Sequence, residues 1–322
     1  STRPCQVGGP DPILSGVRKG AATLLVLGSI AVGAAGCDDL GLFSPRTDVG
    51  SDSRTLGVVT FQALSTADSQ GLAPALDRLT IEARFVRYDP PFEVEVREVL
   101  GLADLDGLPT VDGCATALRV PAASTVSPTA PTTADVEFLD VGRILARGAG
   151  FEEPLAVRTF PDLLDVMSGV TYGGTSALPF RPGSRYDVRG EADRSPWFSI
   201  GAPPGWDDLR VGGAAVRDGL FGIFDPEPRL DLRWIPWTDR ASDVIVSLFW
   251  TGVDGSPRGL VCHPADDGEF VLPTDALVQL PPVPDLAGLT LRVERVTRLS
   301  FPLDGVDESE AVFRVSLTTP IR

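Results

Sequence analysis

The chain has 322 residues, of which 28 are basic and 44 acidic, giving a formal net charge of −16 at pH 7. A charge of this size and sign argues against nucleic acid and anionic lipid headgroups as partners, because the field of the chain repels both. Hydrophobic residues make up 43% of the chain, which is enough to build the cores of two domains.

The first strong feature along the chain is an apolar stretch with a basic start and a cysteine at its end. Arg18 and Lys19 precede an apolar run over 21–36, and the run ends in Ala34-Ala35-Gly36-Cys37. The run is shorter than the ~20 residues of a permanent membrane-spanning helix. Its basic start and small final residues are typical of an export signal. These last four residues resemble the lipobox of bacterial lipoproteins, with Ala34 where that family usually carries Leu.

The lipobox resemblance implies that the Cys37 thiol carries a diacylglycerol, that the signal is cleaved after Gly36, and that the new amino terminus is acylated. Three acyl chains are more than a stable membrane anchor needs. We therefore expect residues 1–36 to be a leader and signal peptide. The polar, acidic residues after Cys37 predict a flexible tether, so that 37–54 form the lipidated cysteine and its linker. The alternatives are an ordinary signal peptide with a coincidental cysteine and a short core helix.

Residues 55–205 predict a first β-sandwich domain. The clearest strand is Arg78–Tyr88, where Ile81 and Phe85 alternate with Glu82 and Arg84, as in a strand with one buried face. A helical turn is predicted at 162–167, begun by Pro161. The predicted strands of this domain are Thr55–Leu64, Arg78–Tyr88, Phe92–Val99, Asp135–Ile144, Leu155–Phe160, Arg185–Arg189 and Trp197–Ile200.

Residues 206–226, rich in Gly and Pro, predict a junction, and 227–322 predict a second, immunoglobulin-like β-sandwich domain. Short apolar segments follow one another at regular spacing, with Asp254-Gly255 and Asp267-Gly268 as turns between them. The whole sequence thus predicts an all-β fold of two β-sandwich domains after an N-terminal signal helix and a flexible tether.

The second domain also resembles a module of uncharacterised surface lipoproteins of Gram-negative bacteria. That family has no assigned activity, so the resemblance implies a location at the outer membrane and no catalytic residues. The resemblance rests on Trp234, Trp237, the strand Asp243–Trp250 and the run Cys262–Pro273, with Asp140-Val141-Gly142 and the segment from Tyr172 to Pro182-Gly183 in the first half.

Cys114 and Cys262 are the two cysteines that follow Cys37. An exported chain meets oxidising conditions, so a disulfide between them is one prediction, and a pair of buried free thiols is the alternative. His263, the single histidine, lies beside Cys262. We interpret it as a polar residue at a strand end, because no Gly-x-Ser-x-Gly motif offers a nucleophile.

Two further sets of residues are candidates for binding. Trp206 and Trp237 lie in Pro-rich loops, where exposed rings could stack on a sugar or anchor a partner; core or interdomain packing is the alternative. The acidic run Asp304, Asp307, Glu308 and Glu310 offers oxygen ligands to calcium, although acidic turns are more often simply solvated.

These observations favour a lipid-anchored protein of the cell envelope that acts as a non-catalytic interaction or scaffold module without a cofactor. Its expected partners are the membrane, through the lipid anchor, and an envelope protein or glycan. The alternatives are a carbohydrate-binding surface lipoprotein and, after it, an envelope glycoside hydrolase with paired carboxylates.

Overall fold

The structure is a computed structural model, and it describes residues 53–66, 79–117, 136–160, 167–176, 178–191, 196–216, 230–238, 241–252, 254–278 and 289–321. The predicted signal peptide, Cys37 and the predicted tether up to residue 52 lie outside the described residues, as does most of the helical turn predicted at 162–167.

The described residues form an all-β fold, as the alternating sequence predicts. The strands are β1 Arg54–Thr66, β2 Leu79–Tyr88, β3 Gly113–Ala117, β4 Val136–Phe138, β5 Ile144–Gly148, β6 Phe151–Pro154, β7 Val157–Phe160, β8 Met167–Ser176, β9 Arg185–Gly190, β10 Trp197–Gly201, β11 Arg210–Val211, β12 Ala214–Ala215, β13 Asp231–Arg233, β14 Asp243–Thr251, β15 Pro257–His263, β16 Glu269–Val271, β17 Thr290–Ser300 and β18 Glu308–Pro320. The helices are α1 Glu93–Val99, α2 Ala103–Asp106 and α3 Thr274–Leu277, and a 3-10 turn at Pro90–Phe92 precedes α1.

The strands are arranged in three sheets. The main sheet has ten strands in the order β3-β15-β14-β17-β18-β1-β2-β4-β8-β7. Two sheets of four strands accompany it, in the orders β10-β9-β5-β6 and β12-β11-β13-β16. Most neighbours are antiparallel, but β1 runs parallel to β18 and β4 runs parallel to β8.

The main sheet contains strands from both of the domains that the sequence predicts. β1 of the first predicted domain pairs with β18 of the second over the register Leu56–Glu308 to Thr66–Thr318, and β3 pairs with β15. Main-chain hydrogen bonds therefore join the two halves of the chain. The division into two domains with a junction at residues 206–226 stays a prediction.

The larger hydrophobic core lies between the main sheet and the two smaller ones. Alternate residues of the central strands point into it, including Phe61 of β1 and Phe313 of β18, whose rings stack with centroids 5.2 Å apart. Tyr186 of β9 enters from the opposite sheet and lies 5.5 Å from the Phe313 ring. Packing of this kind, with side chains from two sheets meeting face to face, is that of a β-sandwich.

The other face of the main sheet is partly covered by α1, α2 and the residues between them, which contribute Val96, Leu105 and Leu102 to a second core. Arg314 of β18 fixes these helices to the sheet. Its guanidinium donates to the Asp104 carboxylate at 2.7 and 2.9 Å and to the carbonyl oxygen of Gly101 at 2.7 Å.

The strand predicted at Phe92–Val99 is wrong, because this segment forms the end of the 3-10 turn and α1. Pro90 and Pro91 occupy the first turn, where a missing N–H costs nothing. Val96 is buried while Val94 is 73% exposed, so burial follows the turn of a helix and not the alternation of a strand.

Candidate functional site

Cys114 and Cys262 are joined by a disulfide between two neighbouring strands. Cys114 lies on β3, at one edge of the main sheet, and faces Cys262 directly in the antiparallel register of β15. Cys262 is buried and Cys114 is half-buried. The bond therefore attaches the edge strand to the body of the sheet, and neither sulfur is available as a thiolate nucleophile.

His263 follows the disulfide and has polar contacts through both ring nitrogens. Nδ1 lies 3.0 Å from the carbonyl oxygen of Pro109, and Nε2 lies 3.2 Å from Oδ1 of Asp243. The imidazole thus bridges β14 and the loop before β3. This position fits its interpretation as a polar residue at a strand end.

Trp206 is not the exposed ring that its Pro-rich loop suggests. It is only 4% exposed, and its indole N–H donates to the carbonyl oxygen of Val315 at 2.9 Å. The prediction of an exposed ring at Trp206 is wrong, because the loop folds inward and the indole fills the space between two sheets. Trp206 packs edge-on against Trp234, with centroids 6.3 Å apart.

Around Trp206 lies a closed network of charged and polar groups. The Arg295 guanidinium stacks over the Trp206 ring at 4.6 Å and is 1% exposed. It pairs with Asp266 through Nε at 3.0 Å and Nη2 at 3.2 Å. Asp266 also accepts hydrogen bonds from Trp234 at 2.7 Å and Ser242 at 2.6 Å.

This network of Arg295, Asp266 and Trp234 connects the main sheet to the β12-β11-β13-β16 sheet, and we call it the latch. The remaining Arg295 N–H groups donate to the carbonyl oxygens of Pro204 at 3.3 Å and Ile235 at 2.9 Å. Trp237 is half-buried in the loop after β13. The described contacts do not bring Trp206 and Trp237 together as a stacking platform.

The predicted calcium ligands at 304–310 make separate contacts. Asp307 accepts hydrogen bonds from the backbone N–H and the hydroxyl of Thr55, at 2.8 and 2.9 Å. Glu308 pairs with Arg97 at 3.3 Å, and Glu310 pairs with Arg298.

Asp304 is exposed in the turn before these residues. No group of three or more acidic, histidine or cysteine side chains within the described ranges is arranged to hold a metal ion. The acidic run therefore ties strand ends to arginines and to β1.

An exposed feature that sequence reasoning did not single out lies on the outer face of the β10-β9-β5-β6 sheet, which we call the Trp197 face. Trp197 is 76% exposed and faces Arg189 on the next strand. Arg189 in turn faces Leu145 of β5. The signal in the sequence was the alternation of Trp197 and Ser199 with the buried Phe198 and Ile200, which places the indole on the solvent side.

One pocket among the described residues is small. It has a volume of about 50 Å³ and lies near the end of β6, lined by Glu153, Leu155, Gly173 and Ser176 among others. The Ser176 hydroxyl donates to Glu153 at 2.7 Å. Pockets that enclose small-molecule ligands are several times larger, so this pocket is too small to enclose such a ligand.

Comparison with known proteins does not identify a family for this chain. No protein-family model and no curated protein matches the chain. Among solved structures, the chain is similar to the Fcho1 Mu homology domain of Danio rerio with a bound Eps15 peptide, at 8% identity and a TM-score of 0.26, over 84% of this chain and 97% of that chain. A likeness at this score carries no argument about fold or function. In the described ranges no helix has the length and apolar character to cross a membrane.

Proposed function

We propose that this protein is a lipid-anchored, non-catalytic interaction module of the bacterial cell envelope, held at the outer membrane through acylated Cys37. The proposal begins from the export signal and lipobox-like residues 18–37. After cleavage and acylation, the acidic linker before β1 carries the β-sandwich clear of the lipid surface.

The single structural observation that carries the proposal is the Cys114–Cys262 disulfide. Disulfides persist in the periplasm and outside the cell, whereas cytosolic thiols are kept reduced. The bond joins strands from distant parts of the sequence, so it belongs to the folded sheet and not to a local loop. This agrees with export before folding, which the signal also requires.

The test uses the full chain expressed in a Gram-negative host fed labelled palmitate. We expect label in the mature protein and its loss in Cys37→Ser, with Cys5→Ser as the matched control that keeps the label. Membrane fractionation should place the labelled protein with the outer membrane. Unlabelled wild-type protein, or unprocessed chain in the cytosol, would overturn the anchor.

The second candidate function is carbohydrate binding, which the exposed indole of Trp197 favours. An open aromatic ring on an exposed sheet face can stack on the apolar face of a sugar ring while the sugar hydroxyls stay in water. Trp206 does not serve this purpose because it lies in the core.

A further inference from the structure

The Trp197 face is built by the simple alternation of four short strands. In β9, Tyr186 and Val188 point into the core, so Arg185, Asp187 and Arg189 point outward. The antiparallel register places further side chains beside them, with Arg147 opposite Asp187 and Trp197 opposite Arg189.

Three arginines on this face have no charged partner on the described part of the chain. Arg147, Arg185 and Arg189 are all exposed, and the described carboxylates form no ion pair with them. By contrast, several arginines of the main sheet form ion pairs, as Arg298 does with Glu310 and Arg314 does with Asp104. On a chain of net charge −16, a group of uncommitted guanidinium groups beside an open indole is an exception that calls for an anionic partner.

We propose that the Trp197 face binds an acidic polysaccharide, one whose sugar rings carry carboxylates. A sugar ring stacks on Trp197, and neighbouring carboxylates pair with Arg189, Arg185 and Arg147 through the planar fork of each guanidinium. The two arginines of β9 are four residues apart, which separates their Cα atoms by about 13 Å along the strand. The face therefore suits a ligand that repeats its charge along a chain.

Two carboxylates on the same face favour a glycan over other polyanions. Asp187 is half-buried and Glu152 is exposed, and both stand near Arg147 in the strand register. They repel a ligand that offers only negative charge, but they accept hydrogen bonds from sugar hydroxyls. A poly-acidic peptide has no hydroxyl groups to donate to them and no rigid ring to stack on the indole.

This inference rests on the proposed function for one point, the location of the glycan in the cell envelope. The binding face itself does not depend on the lipid anchor. The test titrates the full chain with polygalacturonate as the acidic glycan, dextran as a neutral glycan and poly-glutamate as an acidic peptide, by calorimetry at two salt concentrations. We expect polygalacturonate to bind. Dextran and poly-glutamate should each bind much more weakly.

The variants are chosen from exposed positions so that folding is preserved. Trp197→Ala should weaken polygalacturonate binding at least about tenfold, equivalent to ~1.4 kcal/mol. The pair Arg147→Gln with Arg189→Gln should weaken it similarly and reduce its salt dependence. Ile235→Ala, an exposed apolar side chain outside this face, and Arg233→Gln, an exposed arginine on β13, are the matched controls and should bind as wild type does.

Equal binding of poly-glutamate, unchanged binding by Trp197→Ala, or no binding of polygalacturonate would each overturn the glycan site. These outcomes are separable from the palmitate experiment. A chain that is labelled at Cys37 but does not bind polygalacturonate refutes only the glycan site, and a chain that binds it without label refutes only the anchor.

Discussion

Asp266 and Arg295 form a two-point ion pair in which the arginine is 1% exposed, although the two residues are 29 positions apart. The other hydrogen bonds of the pair are with two carbonyl oxygens for the guanidinium, and with the Trp234 N–H and the Ser242 hydroxyl for the carboxylate. A buried charge of this kind is stable only while its partner is present.

Replacing Asp266 by Ala is therefore expected to destabilise the fold strongly, by about 3–5 kcal/mol, because it leaves the Arg295 charge buried and unpaired. Urea denaturation followed by tryptophan fluorescence measures the change. Glu191→Gln is the control, since Glu191 pairs with Arg143 on the surface, with both side chains about half exposed, and should cost at most about 1 kcal/mol. Similar losses for the two variants would contradict the latch.

Tyr172 is expected to make the fold sensitive to alkali. Its hydroxyl donates to Oδ1 of Asp140 at 2.7 Å and accepts the Val141 N–H at 2.8 Å. Burial, together with the bond to Asp140, raises the pKa of Tyr172 well above its ordinary value. A raised pKa in the folded state means that the stabilisation is complete below the unfolded pKa of about 10 and is lost as pH rises through the folded value.

Tyr172→Phe should lower the free energy of unfolding at neutral pH by about 1.5–3 kcal/mol, since it removes a hydrogen bond to a charged group. Tyr186→Phe removes a bond to the neutral Pro179 carbonyl oxygen and should cost less. Thermal denaturation from pH 7 to 11 checks both points. If Tyr172→Phe loses stability with rising pH as steeply as wild type does, the assigned role of Tyr172 is wrong.

Removing the disulfide is expected to cost up to about 5 kcal/mol, because the bond closes a loop of 148 residues in the unfolded chain. The double variant Cys114→Ser with Cys262→Ser should unfold at a lower urea concentration than the oxidised wild type. Reduced wild type should behave like the double variant, and a reductant should leave the double variant unchanged. If the urea midpoint of the wild type is the same with and without a reductant, the two sulfurs are not bonded in solution.

Asp106 is expected to make the fold sensitive to acid. Burial alone would raise its pKa, but hydrogen bonds from Arg97 and Arg298 outweigh it and hold the pKa below the ordinary 3.8. A lowered pKa in the folded state gives stabilisation that is present above the unfolded pKa and is lost as pH falls through the folded value. Asp106→Asn should therefore flatten the decline of stability below about pH 4. The exposed Asp207→Asn should keep the wild-type decline, and a flat wild-type profile would refute the assignment.

Local patterns in the sequence are enough to predict the all-β fold class and the positions of several strands. The alternation of Ile81 and Phe85 with charged neighbours predicts β2 almost to the residue. It succeeds because a strand with one buried face produces this alternation directly. The segment Phe92–Val99 alternates equally well yet is helical, because the two prolines before it and its Glu-rich first turn favour a helix start. At this segment the helix-start residues outweigh the alternation.

The rest depended on distant contacts that no local pattern reports. The Gly- and Pro-rich residues around Trp206 suggest that its ring is exposed. The ring is buried because Val315 and Arg295, from much later in the sequence, pack against it. The parallel pairing of β1 with β18 likewise has no signature in either strand. Trp197 was predicted on a strand, but its role as an open ring follows from which face of the small sheet meets the core.

The parallel pairing of β1 with β18 also dictates when this sheet can be completed. Thr55 and Asp307, which hydrogen-bond at the start of that pair, are 252 positions apart in the sequence. A chain emerging from its amino-terminal end can pair β1 with β2 early, but the other edge of β1 stays unpaired until β18, about 250 positions later, has been made. The centre of the main sheet therefore cannot be completed strand by strand, so we expect the newly made polypeptide to depend on a holding chaperone, and premature termination shortly before β18 to yield insoluble product.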